Sequence, residues 1–120
     1  MNLKKEIGQN AEQQAERYLI SKGLSPVARN VHFKTGELDL VMRDGEQLVF
    51  VEVRYRKNSA YGSAMESITT SKQQKLIRTA LLYCQKNRIS GPWRIDVIAI
   101  TAAAAGRKEV LDWIPSAITG

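Results

Sequence analysis

The stretch GELDLVMRDGEQLVFVEVR, residues 36–54, constrains this chain more than any other. Two runs of alternating apolar and polar side chains are separated by Asp44-Gly45, the pair favoured in two-residue type I′ hairpin turns. A tight turn there sets Arg43 against Glu46, Val41 against Leu48, Asp39 against Phe50 and Glu37 against Glu52. Paired residues project from one face, so Leu38, Leu40, Met42, Val49, Val51 and Val53 form a wholly apolar surface. The other face carries Glu37, Asp39, Glu52 and Arg54 at one end, with Val41, Leu48 and Phe50 nearer the turn.

A hairpin with apolar surface to bury needs packing layers, and the flanking sequence supplies them. Residues 3–22 read as a helix, with Ile7, Ala11, Ala15, Tyr18 and Leu19 at three- and four-residue spacing and Gly23 as the stop. A short extended piece at Val31–Phe33 and a Lys34-Thr35-Gly36 turn lead into the hairpin. Residues 58–68 read as an irregular connection. Thr70 or Ser71 then caps a helix to about Lys86, with Gln73 or Gln74 as the capping-box partner. Its buried stripe reads as Leu76, Ile77, Ala80, Leu81 and Cys84. WRIDVIAI, residues 93–100, is a strand, and Glu109–Ile114 a last short one stopped by Pro115. The order αβββαββ predicts an α/β fold: a mixed sheet of about five strands, a β-hairpin core and flanking helices, in a single domain over 1–120.

Composition narrows the functional classes. Of 120 residues, 43% are hydrophobic and 25% charged, as in an ordinary soluble globular protein. No apolar run reaches the ~18 residues needed to span a bilayer, and the N-terminus lacks the apolar stretch of a secretory signal. With one cysteine, Cys84, which reads as a small core residue, a cytoplasmic location is the expectation. Eighteen Lys and Arg against twelve Asp and Glu give a net charge of +6, compatible with a polyanionic partner. Arg56 and Lys57 follow the hairpin, and Lys72, Lys75 and Arg78 open the second helix. These five form a basic rim suited to a nucleic-acid backbone, around acidic residues gathered at 37–52. By default, Lys72, Lys75 and Arg78 form a solvated face.

The sharpest question is posed by FVEVRYR, residues 50–56, where Glu52 sits inside an apolar strand. In the tight-turn register Asp39 and Glu52 are diagonal neighbours, roughly 7–8 Å apart at the backbone. Two carboxylates held about 4 Å apart repel by about 4 kcal/mol at an effective dielectric near 20. That repulsion is relieved by an ion pair with Arg54 or Arg43, by a shared proton, or by a divalent cation. Spacing alone favours the ion pair. Mg²⁺ suits the third case, since it takes a few carboxylates and keeps waters. Elsewhere the structural readings lead: Glu37 as a strand-edge charge, Asp96 as a partner of Arg94 or a neighbouring strand, His32 as incidental, and Trp93 and Trp113 as packing residues.

Glu12 in the first helix, Asp39 in GELDL and Glu52-Val53-Arg54 together resemble the PD-(D/E)xK nuclease superfamily, with its restriction-endonuclease-like fold. More closely, GQNAEQQAERYL, Asn30, GELDLVMRDG, LVFVEVRYR, Tyr61-Gly62, Lys72 and RIDVIAI look like the uncharacterised bacterial YraN family, related to archaeal Holliday-junction resolvases. The likeness runs from about residue 8 to 114. It implies Mg²⁺- or Mn²⁺-dependent hydrolysis of DNA phosphodiesters, including branched DNA, by Glu12, Asp39, Glu52 and Arg54. Asp39, Glu52 and Glu12 are the implied metal ligands, and a symmetric homodimer the implied assembly. Arg54 stands where the superfamily has lysine. Arginine stays protonated, so it orients and neutralises but does not serve as a base. Lys72 and Gln73, opening the second helix, are the candidates to compensate. Two other classes stay open: a non-catalytic DNA- or RNA-binding module, and a protein-interaction adaptor on the same fold.

Overall fold

The computed structural model of the chain describes residues 3–58, 62–103, 106 and 108–119. Tyr61, part of the family likeness, lies outside them. Helix α1 spans Leu3–Ser21, strands β1 Ser25–Phe33, β2 Gly36–Asp44 and β3 Gln47–Arg56, helix α2 Thr70–Lys86, and strands β4 Trp93–Thr101 and β5 Val110–Ile118. The expected αβββαββ order stands. The sheet runs β1-β2-β3-β4-β5, antiparallel throughout except for the parallel β3–β4 pair that α2 connects. This mixed α/β architecture is consistent with a restriction-endonuclease-like fold.

Each helix covers one face of the sheet. Ala11, Ala15 and Leu19 of α1 pack on Leu40, Met42, Val49, Val51, Ile98 and Ile100. On the other side Leu76, Ala80, Tyr83 and Cys84 of α2 meet Val41, Leu48, Phe50, Ile95 and Val97. Burial on both faces explains why β3 and β4 read as nearly continuous apolar runs. Helix α1 ends in a Schellman arrangement: Leu24 N–H donates to Leu19 O and Gly23 N–H to Ile20 O, both at 3.0 Å, with Gly23 at φ +97°.

The hairpin corrects the expected register. Asp44 pairs with Gln47, Arg43 with Leu48 and Val41 with Phe50, a displacement of two residues. A type I′ turn at Asp44-Gly45 needs two left-handed residues. Here Gly45, at φ +60°, is the only one of the loop pair Gly45-Glu46 with positive φ, the pattern of a type II′ turn. A two-residue shift preserves parity, so the face assignments from Leu40 to Val53 survive. Leu38 does not follow them, and joins the core under α2 instead of lying beside Leu40. The alternation breaks at Asp39, across from which Asn30 adopts a left-handed φ of +54° between the Arg29–Leu40 and Val31–Leu38 pairs.

Other element boundaries also moved for tertiary reasons. Strand β1 extends back to Ser25 because it pairs along β2, although as an exposed edge it has little apolar signature. Strand β5 runs past Pro115 through a bulge between the Val97–Ile114 and Ile95–Ile118 pairs, tolerable on an edge. A short 3₁₀ helix, Met65–Ser67, interrupts the connection before α2. The α2 cap is Thr69, whose hydroxyl accepts from Lys72 N–H at 3.1 Å; Gln73 bonds Ile68 O instead of closing a capping box. Leu81 is exposed, and Thr79 and Tyr83 take its place in the buried stripe.

Candidate functional site

The β2–β3 ladder ends at Leu40–Val51. One step further, the ladder's register would set Asp39 against Glu52, but the strands no longer pair there. There Asp39 substitutes for the ladder: its Oδ2 accepts the Val53 N–H at 2.9 Å. Asp39 therefore sits where the strands cease to pair, with one carboxylate neighbour on each side.

Glu52 is the buried neighbour, only 5% exposed, and its Oε2 has no hydrogen-bond partner. Lys72 Nζ approaches that same oxygen at 3.6 Å from the first turn of α2. Burial raises the Glu52 carboxyl to about 8, and a hydrogen bond to Asp39 and the charge of Asp39 add to the effect. The charges of Lys72 and Arg54 oppose it. Glu12 is the neighbour on the α1 side. Burial, then the charge of Asp39 and a hydrogen bond with it, raise Glu12 to about 7, against a hydrogen bond from Asn30 and the charge of Arg29. Asp39 thus links Glu12 to Glu52.

The basic residues separate by role. Arg54 donates from Nη2 to Ser67 O at 2.8 Å and to Ser67 Oγ at 3.3 Å, which ties β3 to the 3₁₀ turn. Neither Arg54 nor Arg43 forms an ion pair with Asp39 or Glu52 among the described residues; Lys72 does so with Glu52. Arg56 donates to Gly62 O, and Lys57 is exposed. Lys75 and Arg78 are exposed on α2, with Lys75 beside Lys72 in a shallow recess bordered by Thr35 and Thr79. Exposed His32 and Glu37 pair with each other at 3.2 Å.

Asp96 is structural, as its sequence context suggested. Fully buried, it accepts from Arg94 Nε and Nη2, from Trp113 Nε1 at 2.9 Å and from the Ser116 N–H at 2.9 Å. Those bonds hold the β5 bulge. Two residues matter more to the site than the sequence reading allowed. Asn30 positions Glu12, and its signal was available, since asparagine tolerates left-handed backbone. Ser67 anchors Arg54, and nothing local marks it.

Among the described residues, no group of three or more His, Cys, Asp or Glu side chains is placed to hold a metal ion together. Mg²⁺ does not require such a cage; it binds through one or two carboxylates and fills the remainder with water and substrate oxygens. Asp39 beside a buried Glu52 with an unmatched oxygen suits that mode. Lys72 answers part of the same negative charge.

Fold and site define a mixed α/β protein that carries a buried glutamate beside an aspartate, beneath a helix-borne lysine. The chain belongs to the uncharacterised protein family UPF0102, whose model matches residues 11–100. A UPF0102 protein of Saccharophagus degradans is 47% identical over 116 residues, covering 95% of this chain and 93% of its own length. One from Aliivibrio fischeri strain MJ11 is 48% identical over 118 residues, covering 96% and 93%. One from Vibrio cholerae is 44% identical over 115 residues, covering 93% and 91%. Among the described residues no helix is long and apolar enough to cross a membrane.

Proposed function

We propose that this protein is a Mg²⁺- or Mn²⁺-dependent nuclease-like protein that binds DNA and hydrolyses its phosphodiester bonds. The observation that carries this reading is Glu52: a buried carboxylate whose Oε2 has a lysine at 3.6 Å but no hydrogen bond, next to a second carboxylate. In this reading Asp39 and Glu52 hold the metal, and Glu12 acts on the site through Asp39. The ion, when bound, activates water and stabilises charge on the phosphodiester. Lys72 takes the orienting part, since its ammonium lies 3.6 Å from Glu52 Oε2, where it meets a water or a phosphate oxygen, while the Arg54 guanidinium is committed to Ser67. Arg54 braces the turn that leads to the Thr69 cap, and so sets where Lys72 stands.

The likeness to YraN proteins and, through them, to PD-(D/E)xK nucleases and Holliday-junction resolvases supports the same reading. It adds branched DNA as the substrate class and a homodimer as the working form. The net charge of +6 suits that substrate, and a single buried cysteine suits the cytoplasm. The test is cleavage of linear, flapped and four-way DNA with Mg²⁺ or Mn²⁺, by the wild type and by Asp39→Asn, Glu52→Gln and Lys72→Met. Cutting should require all three side chains. No cutting of any substrate, or cutting that survives Asp39→Asn and Glu52→Gln, sinks the reading.

A second reading is favoured by Arg54, whose guanidinium is committed to Ser67. The fold then serves as a non-catalytic DNA- or RNA-binding module. It predicts salt-sensitive binding that persists in EDTA and in Glu52→Gln. Binding that depends on chelatable metal excludes it.

A further inference from the structure

We propose that the cleft at the C-terminal ends of β3 and β4 is a second phosphate subsite, which holds the DNA backbone beside the acidic centre. The cleft has a volume of about 400 Å³. Arg56, Lys57 and Lys108 line it together with the hydroxyl-bearing Ser63 and Thr101, and Asp112 is the one acidic group among its described lining residues. Three cations against one anion in a single concavity make an anion site, and the Thr101 hydroxyl adds an uncharged donor, while that of Ser63 donates to Glu66. By contrast, the α2 recess beside Lys75 has only about 20 Å³ of room.

The floor of the cleft is held by backbone pairing. Arg56 lies opposite Thr101 in the parallel ladder, and its carbonyl accepts the Ala102 N–H at 2.7 Å. One arm of the Arg56 guanidinium is used on Gly62 O, which fixes the side chain and leaves other N–H donors of its fork. Lys108 comes from the segment entering β5 and Lys57 from just beyond the end of β3, so two separate connections line one cleft.

Position decides which phosphate is held. Arg56 is four residues beyond Glu52 on the same strand, which at about 3.3 Å per residue is about 13 Å. That distance is too long for the phosphate under attack. It exceeds the separation of adjacent phosphates on one strand, so the subsite grips a flanking phosphate. The subsite rests on the nucleic-acid reading above for its ligand, but not on catalysis.

The test is binding, not cleavage, measured by anisotropy of a fluorescein-labelled duplex in EDTA across a salt series. Lys57→Ala with Lys108→Ala should flatten the slope of log K against log salt by about 1.8, since each lost phosphate contact accounts for about 0.9. Removal of the same charge at Lys22 and Lys86 should leave the slope nearly unchanged. Lys108→Glu should weaken binding further, and Asp112→Asn should strengthen it. Thermal melts confirm that the surface variants are folded. A double variant with wild-type slope and affinity overturns the subsite even if the protein cuts DNA. A wild type that binds no duplex at low salt overturns it as well. A flattened slope in a protein that cuts nothing supports the subsite while the nuclease reading falls.

Discussion

Replacement of Glu52 by glutamine should stabilise the metal-free protein, and only at high pH. Glu52 is 5% exposed, and its carboxyl is raised from 4.5 to about 8, chiefly by burial and then by Asp39. Between those two pH values the folded protein keeps a proton that the unfolded chain has released. Stability therefore falls as pH rises through the window, and the loss is complete above about 8. At 1.36 kcal/mol per pH unit, the gap between 4.5 and about 8 sets a ceiling of about 5 kcal/mol. Lys72 and the shared titration with Asp39 reduce it to about 1–4 kcal/mol. Glutamine keeps the shape of the side chain and offers Asp39 an N–H donor that an ionised glutamate lacks. For a chain of this size about 4 °C accompanies each kcal/mol, so Tm should rise by roughly 4–15 °C at about pH 9 and scarcely at about pH 5. Melts of wild type and Glu52→Gln in EDTA at matched pH isolate this group from Glu12, which titrates nearby. A difference that does not change with pH, or a glutamine variant less stable throughout, refutes the reasoning.

Three other perturbations test the neighbouring structure. At about pH 8, Mg²⁺ at a hundredfold excess over its Kd should stabilise the wild type by about 2.7 kcal/mol and leave an Asp39→Asn, Glu52→Gln double variant unmoved, measurable as a Tm shift. Asn30→Ala should cost about 1–2 kcal/mol in urea denaturation, because alanine is strained at φ +54°, whereas Asn30→Gly should spare the backbone and lose only the bond to Glu12. Asp96→Asn should cost about 3–5 kcal/mol and shift Trp113 emission to the red, since it strips the buried partner from Arg94 and loosens the β5 bulge.

The local pattern of the chain carried a good deal of this. Alternation across residues 36–54 identified both faces of the hairpin from Leu40 to Val53, because a two-residue slip leaves side-chain parity intact. The same slip changed the site, since it ended the ladder at Leu40–Val51 and left Asp39 beside Glu52, with its carboxylate on the Val53 N–H. Leu38 was misplaced because the left-handed Asn30 and the end of the ladder break the alternation at Asp39, which no periodicity reports. Strand β5 continued past Pro115 because Asp96 supplies hydrogen bonds across the bulge, a long-range rescue of a local stop signal.

The sequence by itself determined the two-faced hairpin, the helices on either side, the acidic pair and the basic background, since each depends on spacing along a strand or a turn. Tertiary structure alone decided which cation meets Glu52. Two arginines lie nearer in sequence, yet Lys72 arrives from α2 while Arg54 turns to Ser67. Only the packed fold could set the burial that makes Glu52 a strained carboxylate, because desolvation depends on what α2 and β4 exclude from around it, not on the letters beside it.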